Sequence, residues 1–320
     1  MSEHDRLYAK LKVLNERLWD QRAPRPVIDD WLENFAEDSE SSPSERLHAL
    51  FLLSQFVYFS DLAVRELLRS LFRDHFRYPI VAELRRTNGD TTDGAFLREA
   101  FAAELRATRF LGIGNPAESG THLLYYFRQE NGLSKDQFVA VPELFDRSLA
   151  DPNVQLANPD IQRLVFIDDF CGSGSQAVIY SRNILRVLRD IAARSGQPLH
   201  MSYLVLAGRA DGLQTVRAST DFDAVEAVFE LDSSYRSLSP GSRHFENVPP
   251  GVTREDARDI ALHYGKTLWA AHPLGYKDGE LLIGFHHNIP DNTLPIIWFD
   301  EPSPPWKPVF PRYHKVYGNV

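Results

Sequence analysis

The sequence predicts an α/β protein: a doubly wound, mainly parallel sheet preceded by a helical N-terminal domain. Three observations carry this. Apolar residues recur at helical spacing through the first third of the chain. From about residue 95, short β-type runs alternate with helical runs. One of those runs leads through two acids and a glycine-containing loop into a helix.

Taken in order, Leu7, Leu11, Leu14 and Leu18 mark an opening amphipathic helix. Pro24 and Pro26 break it, and Asp29 and Asp30 stand where they can cap the next helix. Residues 38–44, DSESSPS, read as a loop, and Ser44 starts an apolar helix, SERLHALFLLSQFVYFS. Its aromatic residues Phe51, Phe56, Tyr58 and Phe59 read as core, not as a cofactor face. The polar segment 87–94, TNGDTTDG, is the expected boundary between a helical domain, 1–94, and an α/β domain, 95–320. In the second domain, runs 109–113, 138–141, 164–167, 202–206 and 224–229 predict strands. Runs 96–106, 121–129, 176–194 and 254–269 predict helices. This alternation implies right-handed crossovers, and such sheets bind ligands beyond the strand carboxyl ends, where strand order reverses. Segments 280–286 and 294–299 flank the turn-rich NIPDN and predict a C-terminal hairpin. The last twenty residues, rich in Pro and aromatics, predict an extended arm packed on the body.

Composition narrows the function. Hydrophobic residues make up 43% and charged residues 25%, the balance of a soluble globular chain. The net charge of −9 argues against general nucleic-acid binding, which favours basic surfaces. The single cysteine, Cys171, excludes an internal disulfide and a Cys-based zinc site. The N-terminus is charged throughout and no apolar run reaches the ~18 residues of a membrane span, so a cytoplasmic protein without membrane contact is expected.

The segment 164–176, LVFIDDFCGSGSQ, is the expected functional centre. Four apolar residues suit a buried parallel strand. Asp168 and Asp169 follow, and burying both carboxylates is costly, so at least one should face solvent, a metal or a sugar hydroxyl. Then Cys171, Gly172, Ser173, Gly174 and Ser175 form a small-residue loop whose amides can converge on one point, with a helix starting at Gln176. Convergent amides and a helix N-terminus favour a phosphate. A nucleotide-hydrolysing P-loop is excluded, because no G-x-x-x-x-G-K-[ST] exists: Gly265-Lys266-Thr267 has Ile260 where the first glycine belongs.

The segment resembles the phosphoribosyl-diphosphate (PRPP) signature of type I phosphoribosyltransferases: an apolar strand, two acids, then a small-residue loop entering a helix. That resemblance implies that Asp168 and Asp169 act at the ribose hydroxyls, directly or through a Mg²⁺-bound water. It implies that Cys171–Ser175 and the start of the helix at Gln176 cradle the 5-phosphate. Gly174 matches the family's glycine, whereas Gly172 and Gln176 stand where the family often has Thr. By the same resemblance the loop after the 109–113 run, with Glu118, Ser119 and Gly120, would meet the diphosphate or acceptor. It carries no Lys or Arg, so compensating charge would come from Mg²⁺, Arg209 or Arg128. The overall layout is similar to phosphoribosyltransferase-like proteins of bacterial conflict and anti-phage islands. Two other readings stand beside transfer. One is a catalytically inactive module that senses a ribose-phosphate or nucleotide and controls a protein partner through the N-terminal helices. The other is an S-adenosylmethionine-dependent methyltransferase, since IDDFCGSGS is similar to the D-x-F-x-G-x-G motif; the following strand ends in Ala207-Gly208-Arg209, without that family's ribose-binding acid.

Two weaker features remain. His286, His287 and Asn288 read as a polar hairpin turn or as a hood over substrate, with the two rings on opposite faces of a strand. Cys171 lies near a helix N-terminus, which lowers a thiol pKa and would make it a nucleophile if a histidine stood beside it.

Overall fold

Capping and proline chemistry set the first elements of the computed structural model, which describes residues 1–37, 44–113, 120–149, 151, 153–300 and 305–312. Helix α1 (Glu3–Arg17) opens on a reciprocal cap: Ser2 Oγ accepts from the Asp5 amide at 3.1 Å, and Asp5 accepts from the Ser2 amide at 2.9 Å. Helix α2 (Arg25–Leu32) starts on Pro24 and carries Pro26 in its first turn, so the prolines begin this helix as well as ending the last. Asp29 and Asp30 lie inside α2 and do not cap it, contrary to expectation. Helix α3 (Glu45–Ser54) is capped by Ser44, as expected, and stops before the extended β1 (Val57–Phe59). Helix α4 (Asp61–Ser70) runs through a π-helical turn (Leu71–Arg77) into α5 (Tyr78–Thr87). Asp93 caps α6 (Gly94–Arg106).

The α/β alternation follows: β2 (Thr108–Gly112), α7 (Gly120–Glu130), β3 (Arg163–Cys171), α8 (Ser175–Tyr180), a π-helical turn (Ser181–Leu185), α9 (Arg186–Arg194), β4 (His200–Arg209), α10 (Ala210–Ser219) and β5 (Ala224–Leu231). These strands form one parallel sheet in the order β2-β3-β4-β5. Phe110 of β2 pairs with Val165 of β3 on one side and bridges Phe138 in parallel on the other. The chain therefore leaves β2 outward and returns across it to β3, which puts the reversal of strand order between β2 and β3. The expected strand at 138–141 shrinks to that single bridge, because Pro142 turns the chain into a 3₁₀ segment (Val141–Leu144).

Both sheet faces are covered. Phe110 packs among Phe76, Phe127 and Phe138, with ring centroids 5.2–5.4 Å apart. On the opposite face Leu164, Phe166, Met201, Tyr203 and Val205 bury against Leu188 and Ile191 of α9 and Leu213 and Val216 of α10. Near-continuous apolar strands are what a two-sided parallel sheet requires.

The remaining elements are α11 (Arg254–Leu268), β6 (Ile283–Phe285) and α12 (Pro295–Trp298). Contacts divide the chain into Arg65–Leu231, which holds the four-stranded sheet, and a second unit made of Met1–Val64 with Asp232–Val320. This differs from the expected division at residue 94. The N-terminal helices share one core with the C-terminal segment: Trp31, Phe51 and Phe56 bury with Ile260, Ile296, Ile297 and Phe310. Trp31 Nε1 donates to the Ile296 carbonyl at 2.7 Å. The expected C-terminal hairpin does not form. β6 pairs instead in parallel with β1, and Pro295 starts a helical turn where a second strand was expected. Val309 and Phe310 of the Pro-rich segment are buried in this core. Among the described residues no helix is long and apolar enough to cross a membrane.

Candidate functional site

β3 runs two residues beyond its two acids, so Asp168 and Asp169 lie within the strand and not after it. Alternation starts their side chains towards opposite faces, yet at the strand end the two carboxyls stay close enough to interact. Asp168 points to the α9–α10 face, where Tyr203 donates to its Oδ2 at 2.9 Å. Its Oδ1 accepts from the Asp169 amide at 2.9 Å. Asp168 keeps some exposure, whereas Asp169 is 4% exposed. Burial holds the Asp168 carboxyl well above the usual carboxylate range, and the charge of Asp169 adds to this; the Tyr203 hydroxyl works the other way. Two adjacent acids held in this way favour a cation or hydroxyl donors beside them.

The loop after β3 is fixed by close backbone approach. Gly174 adopts φ 74°, a left-handed conformation, and precedes α8 without offering a side-chain cap. A Cβ on Gly174 would stand 2.7 Å from the Gly212 carbonyl oxygen, and one on Gly212 would stand 2.0 Å from that of Gly172. The first turn of α10 thus lies directly on the loop. Ser173 and Ser175 share a hydrogen bond at 3.0 Å, and Gln176 is exposed on the first turn of α8. The helix continues through its π-helical turn into α9, so it is helical from Ser175 to Arg194.

Cys171 ends β3 with its side chain in the core. Burial pushes its thiol up to about 12, with the Asp168 charge adding to the shift. The expected lowering by a helix N-terminus is overruled, because burial and the Asp168 charge outweigh the Tyr203 hydroxyl and the Gly174 amide, which work the other way. Any role of Cys171 in a ligand loop falls to its backbone.

Arg209 ends β4, next to Gly208, which pairs with Cys171. Its Nε and Nη2 reach Asp211 at 3.0 and 2.6 Å. Its Nη1 is buried with no hydrogen-bond partner, and the residue is 8% exposed. A buried guanidinium with an unspent donor is suited to an anion. Glu118 and Ser119 lie outside the described residues; Gly120 is the first residue of α7.

The structure therefore brings Asp168–Gln176 and Arg209 to neighbouring carboxyl ends of β3 and β4. Tyr203, Asp211 and Gly212 belong to the same neighbourhood and escaped the sequence reading. Gly212 had a signal: a second glycine four residues after Gly208, just beyond the predicted strand end at Ala207-Gly208-Arg209. Tyr203 had one too, since it stands two positions before the partner of Asp168 and so shares its face.

His286 and His287 follow β6 in a tight turn closed by Phe285 and Asn288. In a turn adjacent side chains need not oppose each other, and the two Nδ1 atoms lie 3.4 Å apart. The expected opposite placement does not hold.

The PRTase-CE family matches residues 28–312, nearly the whole chain. The chain belongs to the PRTase-CE family. No curated protein matches it. Among solved structures it is similar to orotate phosphoribosyltransferase from Aeropyrum pernix, at 14% identity, 42% of this chain, 72% of that one and a TM-score of 0.21. It is also similar to the AQ2163 protein from Aquifex aeolicus, at 12% identity, 65% and 86% coverage and a TM-score of 0.26. A third is adenine phosphoribosyl transferase from Trypanosoma brucei, solved with AMP, pyrophosphate and ribose-5-phosphate, at 15% identity, 54% and 80% coverage and a TM-score of 0.22. The PRTase-CE assignment agrees with the family resemblance drawn from residues 164–176 and with the parallel sheet.

Proposed function

We propose that this PRTase-CE chain binds PRPP, with Mg²⁺, at the carboxyl ends of β3 and β4, and transfers its phosphoribosyl group to an acceptor. One observation carries the reading: two acids in β3 lead directly into a glycine loop held by backbone contact against Gly212, beside the point where strand order reverses. In this reading the amides of Gly172–Gln176 take the 5-phosphate, and Asp168 and Asp169 act at the ribose. The unspent Nη1 of Arg209 takes an anionic oxygen. Among the described residues no three metal-ligating side chains cluster, so the two acids would hold Mg²⁺ only together with waters and phosphate oxygens, which is how Mg²⁺ usually binds. The raised pKa of Asp168 fits a carboxyl that gains from a nearby cation. When bound, Mg²⁺ neutralises diphosphate charge. The bond from ribose C1 to diphosphate breaks as the acceptor bonds to C1, and the protein's part is positioning and electrostatic stabilisation.

A binding-only version is favoured by one specific observation. Both oxygens of Asp168 already accept hydrogen bonds from within the fold. That geometry suits a rigid sensor as well as a transferase.

Calorimetry of the full chain with PRPP, ATP and S-adenosylmethionine, each with and without Mg²⁺, tests the ligand. Mg²⁺-dependent PRPP binding is expected, weakened at least about tenfold by Asp168→Asn with Asp169→Asn. Binding of S-adenosylmethionine alone would overturn the reading. If PRPP binds, release of diphosphate on adding candidate bases separates transfer from sensing.

A further inference from the structure

The unit formed by the two chain ends holds a cavity of about 500 Å³ that phosphoribosyl chemistry leaves unused. That volume lies in the range of small-molecule sites. Tyr58, Phe285 and Phe310 supply its apolar wall. Its rings pack on one another: Phe310 stacks on Phe56 at 4.7 Å and on Tyr58 at 5.3 Å. Arg22 and Arg312 also line the cavity. Neither guanidinium has a carboxylate partner among the described residues. Arg312 lies over the Trp298 ring, 5.2 Å from its centre, which orients it.

Electrostatics favour an anion here although the whole chain is acidic. Two guanidinia face one lining carboxylate, Asp300. His286 and His287 complete the polar side. Burial, with His287 beside it, pushes the His286 ring down to about 4, so it stands neutral at neutral pH and adds no charge, its nitrogens facing Asp61 and His287. An apolar wall with a few convergent polar groups is the usual make-up of a ligand pocket.

We propose that this cavity binds a small organic anion with a planar apolar body. The body lies against Tyr58, Phe285 and Phe310, and the carboxylate or phosphate takes Arg22 and Arg312. This is independent of PRPP binding, since every lining residue belongs to the other unit.

The full chain is titrated with 1-anilinonaphthalene-8-sulfonate, an aromatic anion, and its fluorescence is followed. One saturable class of sites is expected. Arg22→Gln with Arg312→Gln should weaken it at least about tenfold, because two charge-assisted contacts are lost. Asp168→Asn, outside the cavity, should leave it unchanged. A second arm needs no variant: benzoate should displace the dye and neutral benzamide should not. Absence of saturable binding, equal affinity in a folded double-arginine variant, or equal displacement by benzoate and benzamide would each overturn the proposal.

Discussion

The two units of the chain are built in opposite ways. Residues 65–231 form one continuous segment in which each strand lies next to its sequence neighbour and helices cross between them. The other unit joins residues 1–64 to residues 232–320, and its short sheet pairs Val57 with Ile283. The candidate PRPP site in the first unit is made from backbone: a glycine loop pressed on a glycine of α10. The cavity in the second is made from side chains on distant segments. Local construction gives a precise cradle, while assembly from both ends makes stability depend on contacts more than 200 residues apart, such as Trp31 with Ile296.

Ending the chain after Leu231 is the strongest test of this contrast. It removes Ile260, Ile296, Ile297 and Phe310 from the core around Trp31. What remains of that unit is 64 residues, below the roughly 70 at which a lone core usually suffices. Hydrogen exchange should show lost protection across α1–α3 and kept protection across β2–β5. Equal protection in both would break the contrast. Trp31→Ala is a milder version, costing about 3–5 kcal/mol in denaturant unfolding, because a buried ring and its bond to Ile296 both go. In the continuous unit, Gly212→Ala should cost about 3 kcal/mol, since the new Cβ meets the Gly172 carbonyl and cannot avoid it. Gly196→Ala is its control: φ is +64° with open space around it, so only backbone strain of about 1 kcal/mol is expected. Similar costs for both glycines would show that the loop yields where close packing predicts that it cannot.

The same contrast explains what was legible in the sequence. β2, β3, β4, β5 and the helices α6, α7 and α11 follow from local apolar periodicity, and the expected runs overlap them. The junction at Asp168–Ser175 was legible because its chemistry is contiguous. Pairing across the chain was not. The run at 280–286 is strand-like, but only its partner at 57–59 makes it a parallel strand, and no periodicity encodes a partner so far away. α10 was missed because Ala207–Gly212 carries two glycines, which weigh against a helix in isolation. Their reason is tertiary: Gly212 admits the loop, and at Gly208 a side chain would press into Leu213. The burial of Cys171 was hidden for the same reason, since nothing in C-G-S-G-S says which way the thiol turns.

The smallest expected effect reports on the state of the site itself. The folded pKa of Asp168 is raised, so the folded chain holds this proton more tightly than the unfolded chain does. The resulting stability is full below the ordinary carboxylate pKa and is lost as pH rises through the raised value. Asn stays neutral at every pH. It can accept from the Asp169 amide with its oxygen and donate to Tyr203 with its nitrogen, so Asp168→Asn keeps both contacts. Its melting temperature should match that of the unchanged chain below the ordinary carboxylate pKa and exceed it increasingly as pH rises above that value. Adding Mg²⁺ and PRPP should narrow the gap, because the ligand stabilises only the chain that keeps its acid. A gap that does not change with pH would mean that Asp168 is an ordinary ionised carboxylate. A cation beside it would then have no raised carboxyl to relieve, while the backbone cradle, which depends on Gly172, Gly174 and Gly212, would stand untouched.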